Sequence, residues 1–214
     1  MVSLIITTYN YARYIERAIR SALDQSLSRS DFEIIVINDA SIDATSQVLE
    51  NYADVSRVFN LPENIGLSAA RNFGIRKARG QFVTFLDADD YIHAETLRIQ
   101  NIFLSENSSI DAVAVDYFLV DERGKHLFHE CSKKKPIACG IMFRKDYLFN
   151  VGLYDESFHA REEEDLRIRW TKAGYEIYHI PLPLYRYRMH ENNLTKNNRK
   201  MTDSQLKLNQ KHNK

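Results

Sequence analysis

The first ninety residues alternate between two hydrophobic periods. Val2 to Thr7 is a short, unbroken apolar run rich in β-branching, the pattern of a strand buried on both faces. Ile15, Ala18, Ile19, Ala22 and Leu23 then step as i, i+3, i+4, i+7, i+8 along one helix face. Ile34-Ile35-Val36-Ile37 predicts a second buried strand, and Asp43 is placed to cap a helix that turns Val48, Leu49 and Tyr52 inward. Val58 to Leu61 is a weaker third strand. Ser68 to Ala78 predicts a helix, with Gly80 where a left-handed C-terminal cap belongs. Phe82 to Leu86 is a fourth strand. This β-α-β-α-β-α-β series predicts an α/β fold: a largely parallel central sheet covered by helices on both faces.

The second half is less regular. A helix is expected from His93 to about Leu104, a strand over Ala112 to Val120, and a turn at Asp121 to Lys125. Cys131 to Pro136 has the composition of a mobile loop. A strand at Ile137 to Phe143, a short helix at Lys145 to Phe149, a helix from Glu162 to Ala173 ended by Gly174, and a last strand at Glu176 to Ile180 follow. From Asn192 the chain is polar and rich in Asn and Lys, and a frayed tail is expected. No repeat and no Gly, Pro or Ser-rich linker divides the chain.

Composition narrows the function classes. The 214 residues suit one domain, and 44% hydrophobic with 27% charged residues is a globular mixture. Lys+Arg 29 against Asp+Glu 29 leaves no net charge, so no global cationic field gathers nucleic acid or anionic lipid. No apolar run approaches the roughly 18 residues of a membrane span, and the N-terminus has no basic n-region or cleavage site. Cys131 and Cys139 are the only cysteines, which excludes a disulfide framework and suits a reducing cytosol. His126, His129 and Cys131 lie close in sequence but beside a turn and without a fourth ligand, so zinc is not expected from them. Lys133-Lys134-Lys135 suits a solvated loop.

Ligands of open α/β sheets bind beyond the carboxyl ends of the strands. Here those ends carry Thr7-Thr8-Tyr9-Asn10, Asn38-Asp39-Ala40-Ser41, the loop at Asn64-Ile65-Gly66, and Asp87-Ala88-Asp89-Asp90. Tyr9 offers a ring to a planar base and Asp39 a carboxylate to a base N–H. Each alone is equally a turn former or helix cap. If extended, Asp87 and Asp89 point to one side about 6.6 Å apart, and two such carboxylates suit Mg²⁺ or Mn²⁺ shared with substrate phosphates. Asp90 is assigned to capping the next helix. The second acidic group, Arg161-Glu162-Glu163-Glu164-Asp165, complements a helix dipole. Leu166 and Trp170 must form the buried stripe, however, and Glu162 and Glu163, four and three residues before Leu166, lie above it, where a carboxylate beside apolar groups acquires a raised pKa and general-base character. Glu164 and Asp165 lie on other faces, and Asp165 is spaced to pair with Arg169. Arg186, Arg188 and His190, after the last strand, are candidates for phosphate or metal contact.

The segments Val2 to Asn10, Ile37 to Asp43, Asn64 to Asn72 and Phe85 to Asp90 together resemble glycosyltransferase family 2, with the GT-A fold, in the family's order and spacing over about residues 1–195. The resemblance implies a nucleotide-sugar-binding half (1–90), an acceptor-binding half (91–195) and a polar, mobile tail (196–214). It implies inverting transfer from a UDP- or dTDP-sugar to a hydroxyl of a glycan or lipid-linked acceptor, with Mg²⁺ or Mn²⁺. Thr8, Tyr9, Asp39, Arg71 and Asp87 would line the nucleotide site. Asp89, with Asp87 and His190 of Tyr187-Arg188-Met189-His190, would serve the metal. The family's base, an Asp opening a helix, falls on Glu163 here, so either Glu163 or the adjacent Glu162 takes that role, with Asp165 a third candidate acid. Surface polysaccharide synthesis at a cytoplasmic site, with peripheral membrane contact and no nucleic-acid partner, is the setting implied. A sugar nucleotidyltransferase is the nearest rival, although no Gly-rich basic phosphate loop follows the first strand. A non-catalytic nucleotide-sugar-binding protein is the other.

Overall fold

The computed structural model describes residues 1–191 and 193–212. The four expected N-terminal strands form as β1 (Val2–Thr8), β2 (Phe32–Asn38), β3 (Arg57–Asn60) and β4 (Phe82–Asp87), interleaved with α1 (Ala12–Leu23), α2 (Thr45–Glu50) and α3 (Leu67–Lys77). They pair in parallel in the order β3-β2-β1-β4, with Ile5 opposite both Ile35 and Phe85. Every residue of β1 is buried. Successive side chains point to opposite faces, so both faces of this strand are covered. The order also reverses direction at β1: β1 and β2 run one way and β4 is added on the other side. Their carboxyl ends therefore open a crevice at a topological switch point.

Beyond β4 come β5 (Tyr91–Ile92), α4 (Thr96–Glu106), β6 (Ala112–Val120), β7 (His126–Glu130), β8 (Ile141–Arg144), α5 (Lys145–Asn150), α6 (Glu162–Lys172), β9 (Ile177–Arg188) and α7 (Asn198–His212). Among the described residues the strands make one nine-stranded sheet, β3-β2-β1-β4-β8-β6-β9-β5 with β7 added on β6. Six of its strands run the same way; β8, between β4 and β6, and β5 and β7, on β9 and β6, are antiparallel to their neighbours.

Five expectations change. The strand expected at Ile137 to Phe143 forms only as β8, Ile141–Arg144, after an irregular stretch. Asp43 does not act only on α2: it accepts the Thr45 N–H at 3.0 Å and the Ala12 N–H at 3.1 Å, closing the starts of two helices. Gly80 does not adopt positive φ. A Cβ there would stand 2.7 Å from the Met1 carbonyl oxygen and the Ser3 nitrogen, so its smallness serves close passage of the β1 backbone. The last strand runs on through Pro181 and Pro183 to Arg188, because register shifts at Val115 to Tyr117 of β6 absorb the missing N–H donors. Residues 198–212, expected to fray, form α7. Ser204 and Leu208 are buried, and Lys211 and His212, on the same helix face, reach Asp165 at 2.7 and 2.8 Å. Burial of Leu208 together with these ion pairs, rather than propensity, holds a helix this polar.

Candidate active site

A cavity of about 850 Å³ opens at the switch point. It is lined by Thr8 and Tyr9 after β1, Asp39 after β2, Asp87 and Asp89 at the end of β4, Arg71 of α3, and Glu162 and Glu163 at the start of α6. The two acidic groups, more than seventy residues apart in the chain, thus face one space.

Arg71 joins them. Its guanidinium is 1% exposed and donates to Asp87 Oδ1 at 2.9 Å and Glu162 Oε1 at 2.6 Å. Burial works against its charge, but Asp87, Cys139 and Glu162 hold the guanidinium protonated more firmly than usual. It is a bridge between the two halves of the site as well as part of the lining. Glu162 is committed to this pair and is buried. Glu163 is half-buried, and no hydrogen bond or ion pair holds its carboxylate to another side chain among those described. Burial first, and then the charge of Glu162, push its carboxyl up to about 7, with Arg167 pulling the other way. The Arg161 residue that precedes α6 is in the left-handed region (φ 56°) and pairs with Glu164, so the chain enters the helix through a sharp turn that aims Glu162 and Glu163 inward.

Asp39 does more than line the cavity. Its two carboxylate oxygens accept the N–H groups of Ile65 and Gly66 at 2.8 and 2.9 Å, and its carbonyl accepts from Asn64, so it shapes the Asn64–Gly66 loop. Each carboxylate oxygen retains capacity for a second donor. Tyr9 keeps 43% of its surface exposed. Thr8 Oγ1 is buried with no hydrogen-bond partner, a polar atom left over at the mouth of β1.

The acids after β4 depart from the extended geometry. β4 ends at Asp87, and the Asp90 N–H bonds the Asp87 carbonyl at 3.0 Å, closing a turn. Asp89 lines the cavity from this turn. Its Oδ2 lies 2.7 Å from His190 Nε2, and the His190 ring stacks on Tyr14 with centroids 5.0 Å apart. His190 stands behind Asp89, outside the cavity wall. Asp90 caps no helix: it accepts from the Tyr185 hydroxyl at 2.6 Å and the Arg188 N–H at 2.7 Å, fastening β9 to the site. Burial and the charges of Asp89 and Asp87 push its carboxyl well above the usual range, against those two hydrogen bonds. Asp165, the third candidate acid, does not reach the cavity. It points the other way along α6 and is taken by Arg169, Lys211 and His212.

Hard oxygen donors at Asp87 and Asp89 suit Mg²⁺ or Mn²⁺. Asp87 spends one oxygen on Arg71, and Asp89 one on His190. Among the described residues, a single trio of His, Cys, Asp or Glu has its ligand atoms all within 4.8 Å, namely Asp116, Cys131 and His179, and not these acids. A divalent ion at Asp87 and Asp89 would need substrate phosphates to complete its shell, because these two acids do not form an all-protein cage.

Sequence reasoning gave no site role to Tyr11, Tyr187 or Lys200, which also line the cavity. Tyr11 follows Asn10, whose side chain accepts the Ile42 N–H at 2.8 Å; the repeated tyrosines around β1 were the available signal. Lys200 arrives from α7, and nothing local announces it.

Residues 3–161 match the sequence model of glycosyl transferase family 2. The chain belongs to that family. This family-2 chain is 30% identical over 210 residues to an uncharacterized glycosyltransferase of Rickettsia bellii, covering 89% of this chain and 30% of that protein. It is 30% identical over 209 residues to the minor teichoic acid biosynthesis protein GgaB of Bacillus subtilis, covering 88% and 23%. It thus spans about a quarter to a third of the length of these relatives. The crystal structure of Staphylococcus aureus TarS 1–349 in complex with UDP-GlcNAc matches with a TM-score of 0.78 at 25% identity, covering 92% of this chain and 60% of that one. A mannosyltransferase of Pyrobaculum calidifontis, in complex with GDP-Man and Mn²⁺, shares the fold with a TM-score of 0.78 at 19% identity, covering 98% and 63%. The family-2 chain has the GT-A architecture of these neighbours. No helix of its described residues is long and apolar enough to cross a membrane.

Proposed function

We propose that this chain catalyses inverting transfer of a sugar from a UDP- or dTDP-type donor to a hydroxyl of a glycan or lipid-linked acceptor in surface polymer synthesis. The observation that carries the reading is the meeting of two acidic groups of different character in one cavity at the switch point. Asp87 and Asp89 are oxygen donors suited to a diphosphate-bound cation, and Glu163 is a carboxyl raised into the range of a general base. Asp87 and Asp89 would hold Mg²⁺ or Mn²⁺, whose charge would offset that of the departing nucleoside diphosphate.

The protein's own groups divide the remaining work. Tyr9 presents its ring to the base, Asp39 accepts a base N–H at its remaining lone pairs, and the unpartnered Thr8 hydroxyl supports the nucleotide. Glu163 takes the proton from the acceptor hydroxyl as that oxygen attacks the anomeric carbon opposite the leaving group, so configuration inverts in one displacement. Glu162 is held by Arg71, which favours Glu163 over it as the base. Positioning by Arg71 couples the donor wall to the acceptor wall.

The test is a pair of carboxamide variants assayed against UDP-GlcNAc and other nucleotide sugars with Mn²⁺. Asp89→Asn should abolish donor turnover and the Mn²⁺-dependent thermal shift produced by UDP. Glu163→Gln should keep that shift and lose transfer. Release of pyrophosphate from a nucleoside triphosphate would instead favour the nucleotidyltransferase reading. Binding without any turnover would favour the non-catalytic one.

A further inference from the structure

The expectation that Cys131 has too few partners for zinc overlooked strands far away in sequence. β6 and β7 pair with Tyr117 opposite Glu130 and Phe118 opposite His129, so one more step of that register sets Cys131 opposite Asp116. On the other side of β6, His179 of β9 stands opposite Ala114. Side chains alternate with period two, and Asp116, His129, Cys131 and His179 therefore share one face of the sheet. Their polar atoms converge there. Asp116 Oδ1 lies 2.6 Å from His179 Nε2, and Asp116 Oδ2 lies 3.1 Å from His129 Nε2. Cys131 Sγ is 3.8 Å from His179 Nε2. A thiolate and an imidazole on one tetrahedral zinc ion stand about 3.6 Å apart, given Zn–S of about 2.3 Å and Zn–N of about 2.0–2.1 Å; the carboxylate and imidazole, now hydrogen-bonded at 2.6 Å, would part to roughly 3.3 Å as the ion replaces the shared proton.

We propose that Asp116, Cys131 and His179 form a zinc site distinct from the nucleotide-sugar cavity, none of the three lining that cavity. Sulfur and imidazole ligands select zinc over the Mg²⁺ or Mn²⁺ that suits the oxygen donors at Asp87 and Asp89. The fourth position falls to His129, or to water with His129 held on the second oxygen of Asp116. Asp116 is buried, the Ser132 N–H donates to its Oδ1 at 2.8 Å, and the N–H groups of Lys134 and Lys135 donate to the Cys131 carbonyl at 3.0 and 2.9 Å. An ion at this point ties the Cys131–Pro136 loop to three strands. The segment that follows, Pro136 to Cys139, forms part of the cavity wall. Zinc would thus set that wall without taking part in the transfer. Its binding releases the thiol proton of Cys131.

The experiment uses the untagged full chain, stripped with chelator and then titrated with Zn²⁺ or Co²⁺. One zinc per chain is expected by elemental analysis, and Co²⁺ should produce a thiolate-to-cobalt charge-transfer band in the near ultraviolet. Cys131→Ser should abolish that band and weaken zinc at least tenfold, with unchanged circular dichroism; His179→Gln should weaken zinc similarly. Asp89→Asn should retain the zinc equivalent, which separates this site from the cavity. Amide exchange over residues 131–135 should slow when zinc is added. Substoichiometric zinc in the unaltered chain, absence of the cobalt–thiolate band, or loss of the zinc equivalent in Asp89→Asn would each overturn the proposal.

Discussion

Replacing Glu163 with Gln should stabilise the protein while disabling it, and the gain should depend on pH in a defined direction. The Glu163 carboxyl rises from the ordinary 4.5 to about 7, first through burial and then through the charge of Glu162. Below pH 4.5 the group is protonated in the folded and unfolded chains alike, and the substitution changes little. Between 4.5 and 7 the folded protein holds a proton that the unfolded chain has released, so stability falls as pH rises. Above 7 the full cost of a charged, half-buried Glu163 is present. At about 1.4 kcal/mol per tenfold change in proton affinity, and allowing for partial exposure, that cost is roughly 2–3 kcal/mol. In a chain of this length it corresponds to about 4–12 °C in Tm. Urea or thermal unfolding of both proteins from pH 4 to pH 9 reads the effect: the curves should coincide at the acid end, diverge through the window and run parallel above it. Transferase turnover of the variant should fall by about 10²–10⁴, the usual contribution of a general base. A stability difference that is the same at pH 5 and pH 8 would refute the burial argument, and full turnover in Glu163→Gln would refute the assignment of the base.

Other perturbations follow from the same geometry. Arg71→Met leaves Asp87 and Glu162 without their shared cation and should cost about 3–5 kcal/mol by urea unfolding, along with donor turnover. Asp165→Ala should release α7 from α6: amide exchange over residues 198–212 should approach the unprotected rate while the β1 to β4 strands stay protected. Gly80→Ala presses a methyl against backbone atoms of Met1, Ser3 and Phe82 within 2.9 Å, and it should lower stability by about 1–3 kcal/mol with no effect on nucleotide affinity per folded molecule, measured by calorimetry.

Much of the site could be located from local pattern alone. The apolar runs of β1, β2 and β4 fixed where three strands end, and the strand-end rule then picked Thr8, Tyr9, Asp39 and Asp87 without reference to distant residues. Helix phase did the same for Glu162 and Glu163, since Leu166 and Trp170 define which face of α6 is buried. Neither argument could assign partners. Asp90 looked like a helix cap because its nearest sequence neighbours offer nothing else, whereas its partners, Tyr185 and Arg188, come almost a hundred residues later. Asp165 could be paired with Arg169 by spacing, but Lys211 and His212 belong to a segment too polar to be recognised as a docked helix.

Sequence by itself determined the elements of the first half, the polar residues at their ends and the face that each helix turns inward, because all of these follow from periods of two and about 3.6 residues. Tertiary structure alone decided which charges meet: Arg71 between Asp87 and Glu162, His190 behind Asp89, and Asp116 among Cys131, His129 and His179. Those encounters depend on strand order and register between segments far apart in the chain, and hydrophobic periodicity carries no record of which buried strand lies beside which.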